Sequence, residues 1–369
     1  MTALLPARSA KSSNKSRRIS PLGLFEALAT PHGVDRYLEL VNPMLTVREL
    51  RAEVTAVYRS TADSVTLTLR PTRQWKGFEA GQFVNVTVVI DGVRRTRCYS
   101  PSCSQHRADG QIEITIKKHP EGIVSNYLHA NAAPGLVVQL SQADGVFKLP
   151  TARPERLLLI SGGSGITPVL SMLRTLADEG HRGEVVFLHY TNTAADVALR
   201  AEVEKLAGGN VRVEFVHTES GDSALTGFFG ASHLEAVAPW VAEAQTYLCG
   251  PLALMRSVRE HFDHAGLTDR LHLEEFQPAP VIVDDGTPTG TIAFGETTAT
   301  NSGETLLEQA ENAGLTPEFG CRMGICFSCT QIKTSGCTRN IRTGELNSDP
   351  DTEIQLCINV PVGDVSIEL

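Results

Sequence analysis

Nowhere in its 369 residues does this chain carry a run of about 18 apolar residues, and that excludes a membrane-spanning helix. Cysteine is scarce, eight in all, and three of the eight fall between positions 321 and 329. Three thiols cannot pair off as disulfides, and the others are dispersed, so the chain does not read as a disulfide scaffold and a reducing cytoplasm is the expected compartment. Nor is a signal peptide expected from the residues near the start. A twin arginine stands in SRRIS, but the apolar stretch after it, PLGLFEALA, is interrupted by Glu26 and has no small-residue cleavage site. Excess basic charge is absent, with a formal net charge of −9, so nucleic acid is not an expected partner. No histidine falls at metal-ligand spacing with a second ligand, and His217 and His261 read as ordinary surface or strand residues. Internal repeats are lacking too.

What is present describes a globular protein of two or three domains, with 41% hydrophobic residues, 20% charged and 31 glycines. The acidity is local. Residues 281–369 hold 13 Asp and Glu against 4 Lys and Arg, and residues 1–280 hold 29 against 29. An acidic C-terminal module suits docking on a basic protein surface, with a plainly solvated face as the alternative. The first eighteen residues carry Arg8, Lys11, Lys15, Arg17 and Arg18 without an acid, a basic tail capable of at most peripheral contact with anionic lipid at the inner membrane face.

Periodicity divides the chain. Residues 1–46 form the basic tail and a helical extension broken by Pro31, Gly33 and Pro43. From 47 to 152 the period is two, in SVTLTLRP, GQFVNVTVVI, RRTRCYS and QIEITIKKH, which predicts an antiparallel barrel or sandwich. From 153 to 276 short apolar strands such as RLLLI and EVVFLHY alternate with helix-like segments such as PVLSMLRTLADEG, the pattern of a doubly wound parallel sheet. Residues 277–289, rich in Pro and Gly, read as a linker. Residues 290–369 show strands TIAFG, QIKT and VSIEL around a helix SGETLLEQAENAG, for which Ser302 and Thr305 offer caps.

Cys321, Cys326, Cys329 and, after 27 residues, Cys357 are spaced C-x4-C-x2-C…C, the plant-type [2Fe–2S] pattern. Two irons bridged by sulfide need four converging thiolates, three from one tight loop and one from a distant strand end. Gly320 and Gly324 let such a loop close. Structural zinc is the alternative, although its ligands fall as two C-x2–4-C pairs and only one such pair exists here. Cys337 lies outside the spacing.

Upstream, SGGSGITP (Ser161–Pro168) follows strand RLLLI. Gly162, Gly163 and Gly165 permit a tight turn and close approach to a pyrophosphate, and Pro168 suits the first helical position. The turn is paired with LCGP, containing Cys249, Gly250 and Pro251, later in the same segment.

Together these motifs resemble the ferredoxin reductase superfamily, and their order from about residue 47 to 369 resembles its single-chain reductases that serve oxygenases. The resemblance implies an antiparallel flavin-binding β-barrel, a doubly wound NAD(P) domain and a C-terminal β-grasp ferredoxin domain similar to plant-type ferredoxins. Phe327 stands where many such ferredoxins have a small residue and is expected to crowd the loop. RCYS (Arg97–Ser100) fits the flavin motif R-x-Y-S: Arg97 would hold the pyrophosphate, Tyr99 would stack on the isoalloxazine, Ser100 would contact its N5 edge, and Cys98 lies among them. EGIVSNYL matches a second element, in which Gly122, Val124 and Ser125 would present helix N-terminal N–H groups to the flavin phosphates, with FAD favoured over FMN. Lys117 is a further candidate contact. Gly162, Gly163, Gly165, Thr167 and Pro168, with Gly250 and Pro251, would bind NAD(P)H, placing the nicotinamide beside Cys249. Asp196 stands near the adenosine half, and Glu275 and Phe276 would approach the flavin. Ser100 and Cys249 are the residues expected at hydride transfer. A flavin belongs in such a chain because it accepts a hydride and releases electrons singly.

The leader TPHGVDRYLELVNP extends the resemblance to NADPH-dependent reductases that serve stearoyl-CoA Δ9-desaturase, which implies NADPH as donor and a membrane fatty acyl desaturase as acceptor. A soluble Rieske or di-iron hydroxylase is the alternative acceptor. A non-catalytic, zinc-bearing interaction protein on a retained dinucleotide fold is the alternative from another class.

Overall fold

The computed structural model describes residues 35, 38, 41–120, 122–220, 223–276, 288–320, 322, 324 and 327–369. The expected basic tail and helical extension and the expected linker lie largely outside the described residues. By internal contacts the chain divides into a segment ending at Glu49 and a unit from Leu50 to Leu369. In the first, the buried Asp35 carboxylate accepts the backbone N–H groups of Val47 (2.5 Å), Arg48 (2.9 Å) and Glu49 (2.8 Å).

The second unit contains three sheets. The first is antiparallel: β1 (Arg51–Arg59), β2 (Ser64–Pro71), β3 (Val84–Ile90), β4 (Val93–Tyr99), β5 (Ile112–Lys117) and β6 (Val137–Leu140), in the order β4-β3-β6-β1-β2-β5. Its ends meet where Pro101 bridges Ile114 and the Ser102 N–H donates to the Glu113 carbonyl (2.7 Å), so the sheet curls into a barrel. Val54, Val65, Leu67, Val86 and Ile114 fill its interior, as the two-residue period demands. Helix α1 (Ile123–Asn131) covers one end, with Val124 and Leu128 buried.

The second sheet is wholly parallel: β7 (Arg156–Gly162), β8 (Glu184–Thr191), β9 (Val211–His217), β10 (Leu225–Thr226), β11 (Gln245–Cys249) and β12 (Leu271–Glu274), in the order β10-β9-β8-β7-β11-β12. Helices α2 (Ile166–Asp178), α3 (Arg200–Glu204), α4 (Ala231–Val237) and α5 (Leu252–His264) connect the strands. Leu157 and Leu159 join one hydrophobic cluster while Leu158 and Ile160 join another, which is why RLLLI is apolar on both faces. The strand order reverses beside β7, and a crevice at that point on the carboxyl edge is where open α/β sheets bind ligands.

The third sheet is mixed. It comprises β13 (Thr291–Phe294), β14 (Thr297–Thr300), β15 (Thr330–Asn340), β16 (Leu346–Asn347), β17 (Thr352–Gln355) and β18 (Asn359–Ile367), in the order β14-β13-β18-β15-β16 with β17 also on β15. Helix α6 (Leu306–Asn312) buries Leu306, Leu307 and Ala310 against it. Of the two expected caps, Thr305 is used, in a capping box with Glu308. Lys333, on β15, is fully buried, and its ammonium donates to the carbonyls of Gly336 (2.9 Å) and Asp349 (2.6 Å).

That lysine ties the turn before β17 to the middle of β15, four residues from Cys329. Lys333→Met would leave two carbonyls without this donor and is expected to lower stability by about 2–4 kcal/mol in a urea titration. An unchanged midpoint would show that the ammonium is dispensable.

Candidate functional site

On the barrel, β4 pairs with β3 in a register that sets Arg97 opposite Val86 and Tyr99 opposite Val84. Cys98 lies between them on the other face, and its thiol donates to Asn85 Oδ1 (2.9 Å). The Tyr99 ring packs on the barrel core, and burial holds its phenol well above the ordinary range. Ser100 is 2% exposed, yet its hydroxyl has no hydrogen-bond partner among the described residues. An orphaned buried hydroxyl at a strand end fits a polar edge supplied by a bound group. The Arg97 guanidinium donates to the Thr96 carbonyl (2.7 Å) and lies 5.7 Å from the Phe319 ring centre; among the described residues it forms no ion pair. Burial first, and then the nearby Arg322, disfavour its charge.

Gly122 caps α1 without a side-chain acceptor, so the first-turn N–H groups lack the usual cap. A Cβ on Gly122 would stand 2.2 Å from Ser125 Oγ, which itself donates to the Gly122 carbonyl (3.2 Å). The Val124 side chain is wholly in the barrel core, leaving only its backbone to face a ligand. These features fit an anionic phosphate at the helix start. Lys117, at the end of β5, pairs with Asp63 (3.2 Å), and its charge is felt at His189 of the parallel sheet.

The two glycine motifs of the parallel sheet meet. After β7 the chain makes a tight 3-10 turn at Gly163–Gly165, with Gly163 at φ +51°. A Cβ on Gly165 would fall 2.2 Å from the Cys249 carbonyl oxygen, and one on Gly162 would fall 2.8 Å from the Pro251 ring. Gly250 also approaches the Gly162 nitrogen, at 3.0 Å for its absent Cβ. The SGGSG turn and the CGP turn are thus one packed surface at the carboxyl edge. Pro168 occupies the third position of α2 rather than the expected first, still within the turn whose N–H groups have no helical acceptor. Thr167 Oγ1 donates to the Ser164 carbonyl (3.3 Å).

Strand register then lines up one row across this edge: Glu274, Cys249, Ser161, His189 and Phe215. Cys249 is fully buried, and burial, with Glu274 beside it, raises its thiol well above the ordinary range, so it is a neutral thiol. Ser161 Oγ lies 2.8 Å from His189 Nδ1, and burial lowers the His189 pKa to about 3. The neutral imidazole leaves Nε2 without a partner among the described residues, another buried orphan. His217, expected as an ordinary surface or strand residue, is a buried strand-end residue with Nδ1 3.0 Å from Thr191 Oγ1. Asp196 is occupied locally: its carboxylate accepts from the Thr193 N–H (2.9 Å) and hydroxyl (2.7 Å).

Sequence reasoning missed Glu274. It named Glu275, whose carboxylate instead accepts from Arg259 (2.8 Å), and Phe276, which packs half-buried on the parallel-sheet core. Burial raises the Glu274 pKa from 4.5 to about 7, opposed by Arg342 of the third sheet and aided by Glu275. The one signal available was register: β12 ends at Glu274, which pairs opposite Cys249, whereas Glu275 follows the strand.

On the third sheet, the Leu356 N–H donates to the Cys329 carbonyl (3.0 Å) and Thr330 pairs with Gln355, so buried Cys357 is delivered beside buried Cys329. Cys321 and Cys326 lie outside the described residues. Gly324, at φ +73°, lies so close over Ile358 that a Cβ would stand 2.5 Å from its Cδ1, which seats the loop against the neighbour of Cys357. Two buried cysteines brought near each other by backbone pairing, beside a glycine loop, fit a thiolate-held group. Cys337 is eight residues along β15 from Cys329, about 25 Å of strand away. Phe327 does not crowd the loop as expected. It sits in the left-handed region (φ +56°) with its ring 66% exposed.

Residues 52–149 match the oxidoreductase FAD-binding domain family, and residues 159–260 match the oxidoreductase NAD-binding domain family. The chain is 35% identical over 351 residues to an NADPH oxidoreductase of Mycobacterium tuberculosis, covering 93% of this chain and 90% of that one. The chain belongs to the ferredoxin reductase superfamily. It is an FAD- and NAD(P)H-binding oxidoreductase, which sets aside the non-catalytic alternative. A glycine betaine monooxygenase reductase subunit of Pseudomonas aeruginosa is 30% identical over 319 residues (79% of this chain, 87% of that one). Among solved structures, phthalate dioxygenase reductase, described as modular for electron transfer from pyridine nucleotides to [2Fe–2S], matches with TM-score 0.59 at 25% identity, covering 87% of this chain and 98% of that one.

Two outcomes follow from this geometry. Gly165→Ala forces the α2 start away from Cys249 and is expected to weaken nicotinamide nucleotide binding at least tenfold by fluorescence titration; unaltered binding would mean that the close approach is not needed. Glu274 holds its proton more tightly folded than unfolded, so its contribution is full below about pH 4.5 and lost as pH rises through 7. Relative to Glu274→Gln, the wild type should lose about 2–3 kcal/mol across that window, read as unfolding free energy against pH. Parallel pH curves would count against it.

Proposed function

We propose that this chain is an NADPH-dependent reductase that passes electrons through FAD and a plant-type [2Fe–2S] cluster to an oxygenase, the favoured acceptor being a membrane fatty acyl desaturase acting on stearoyl-CoA. The observation that carries the proposal is that the Leu356 N–H bonds the Cys329 carbonyl and so brings Cys357 towards Cys329, which supports a set of ligands in which a distant thiol joins the C-x4-C-x2-C loop. Cys321, Cys326, Cys329 and Cys357 would hold the cluster, and the third sheet would be a ferredoxin domain of β-grasp type. Bound FAD would supply the change from hydride to single electrons.

The residues act as follows. Arg97 neutralises the flavin pyrophosphate, Tyr99 stacks on the ring, and the Ser100 hydroxyl satisfies itself on the ring edge. Gly122, Val124 and Ser125 offer first-turn N–H groups to phosphate, with Cys98 and Lys117 flanking the site. Gly162, Gly163, Gly165, Thr167 and Pro168 admit the dinucleotide backbone, while Gly250 and Pro251 hold Cys249 as a neutral thiol against the nicotinamide. Phe276 closes the core beneath them. Glu274, a carboxyl titrating near neutrality beside Cys249, can hold or release a proton there.

Support for NADPH comes from the relative named NADPH oxidoreductase, and support for an oxygenase acceptor from the monooxygenase reductase relatives. The desaturase rests on the leader TPHGVDRYLELVNP. Those same monooxygenase names favour a second reading, a soluble Rieske or di-iron hydroxylase as acceptor. In either case a cytoplasmic protein with at most peripheral membrane contact is the proposed setting.

Anaerobic mixing of the full chain with NADPH, and separately with NADH, tests the path. Flavin bleaching followed by cluster reduction is expected, faster with NADPH, and Cys357→Ser should keep the first event and abolish the second. Bleaching with no cluster signal in the wild type would sink the assignment of the C-terminal thiols. Added salt should slow delivery to the acceptor and leave hydride transfer unchanged, because only docking of the acidic module depends on screened charge.

A further inference from the structure

Phe319 stands two residues before Cys321, on the segment that leads into the C-x4-C-x2-C motif, and two guanidinium groups lie over its ring. Arg322, from the same loop, lies 4.1 Å from the ring centre; Arg97, from the barrel strand β4, lies 5.7 Å from it. Arg322 is anchored in turn by Glu311 of α6 (2.5 Å). Its backbone sits at φ +59°, a region that non-glycine residues avoid, so the loop accepts strain with this guanidinium against the ring. One of the two cations has a carboxylate and the other, Arg97, has none among the described residues.

We propose that Phe319 and Arg322 belong to the flavin site: Phe319 is a positioning residue that backs Arg97 and aims it at the pyrophosphate, and Arg322 adds to the positive field there, so that the C-terminal module completes the site for an anionic flavin nucleotide. This rests on the reading of Arg97 as the pyrophosphate ligand. A flat ring behind a guanidinium restrains its rotation while leaving its N–H edges free for bidentate contact with phosphate oxygens. The arrangement also makes coupling reciprocal. If the C-terminal loop strengthens flavin binding, flavin binding must steady that loop to the same extent.

The test uses the full chain stripped of flavin and titrated with FAD and with riboflavin, which carries the same ring system without phosphate. Phe319→Leu and Arg322→Gln are each expected to weaken FAD binding on the order of tenfold and leave riboflavin binding unchanged, while Phe319→Trp retains wild-type affinity. In an Arg97→Gln background, Phe319→Leu should have no further effect. Iron loss to a chelator should be slower with FAD bound than without it, and that difference should shrink in Phe319→Leu. Wild-type FAD affinity in both single variants overturns the proposal, as does equal weakening of FAD and riboflavin, which would mark a general loss of structure. If Arg97→Gln itself binds FAD normally, the reading of Arg97 fails and takes the inference with it. Should Phe319→Leu not fold, Arg322→Gln and Phe319→Trp still decide the matter.

Discussion

The close approach of the Gly165 backbone to the Cys249 carbonyl is the constraint on which the dinucleotide crevice depends. At 2.2 Å for the absent Cβ, no side chain fits, so the turn after β7 and the turn after β11 are fixed against each other by the lack of an atom. Everything on the carboxyl edge follows from that contact. It sets where α2 starts, with first-turn N–H groups that have no side-chain cap, and it fixes the Cys249 backbone. Because β11 also pairs with β12, it carries Glu274 to the same level. Two turns far apart in sequence act as one rigid surface, a better platform for positioning a reacting ring than two independent loops.

Much of this was legible before any coordinates. Barrel strands announced themselves by period two, the parallel strands by short runs apolar on both faces, and the glycine turns by composition that has no other economical cause. What stayed hidden was of three physical kinds. Strand register decided between Glu274, the last residue of β12 and the partner of Cys249, and Glu275, which follows the strand, and a boundary uncertain by one residue hides that choice. Burial decided between the two places expected for His217, surface or strand: it ends its strand buried and bonded to Thr191, and residue type alone gives no sign of the burial. Backbone handedness decided Phe327, which bulk alone suggested would press inward and which φ +56° turns outward. Contacts between sheets, such as Arg97 with Phe319, were out of reach for another reason: the partners lie more than two hundred residues apart and neither belongs to a pattern naming the other.

The acidic C-terminal module deploys its few cations in an informative way. Of four basic residues after position 280, Lys333 is buried and bonded to two carbonyls, Arg322 is paired with Glu311 under the Phe319 ring, and Arg342 acts on Glu274 of the parallel sheet. Lys333 alone of the four lies wholly inside; Arg322 and Arg339 are half-buried and Arg342 is exposed. The buried ammonium is met by two carbonyls and the loop guanidinium by Glu311, so neither is left as an uncompensated cation. The 13 carboxylates of residues 281–369 outweigh the four cations, so a basic partner surface would meet a net negative field from the module, and the charge that attracts it is a balance of composition, with no need of a uniform face.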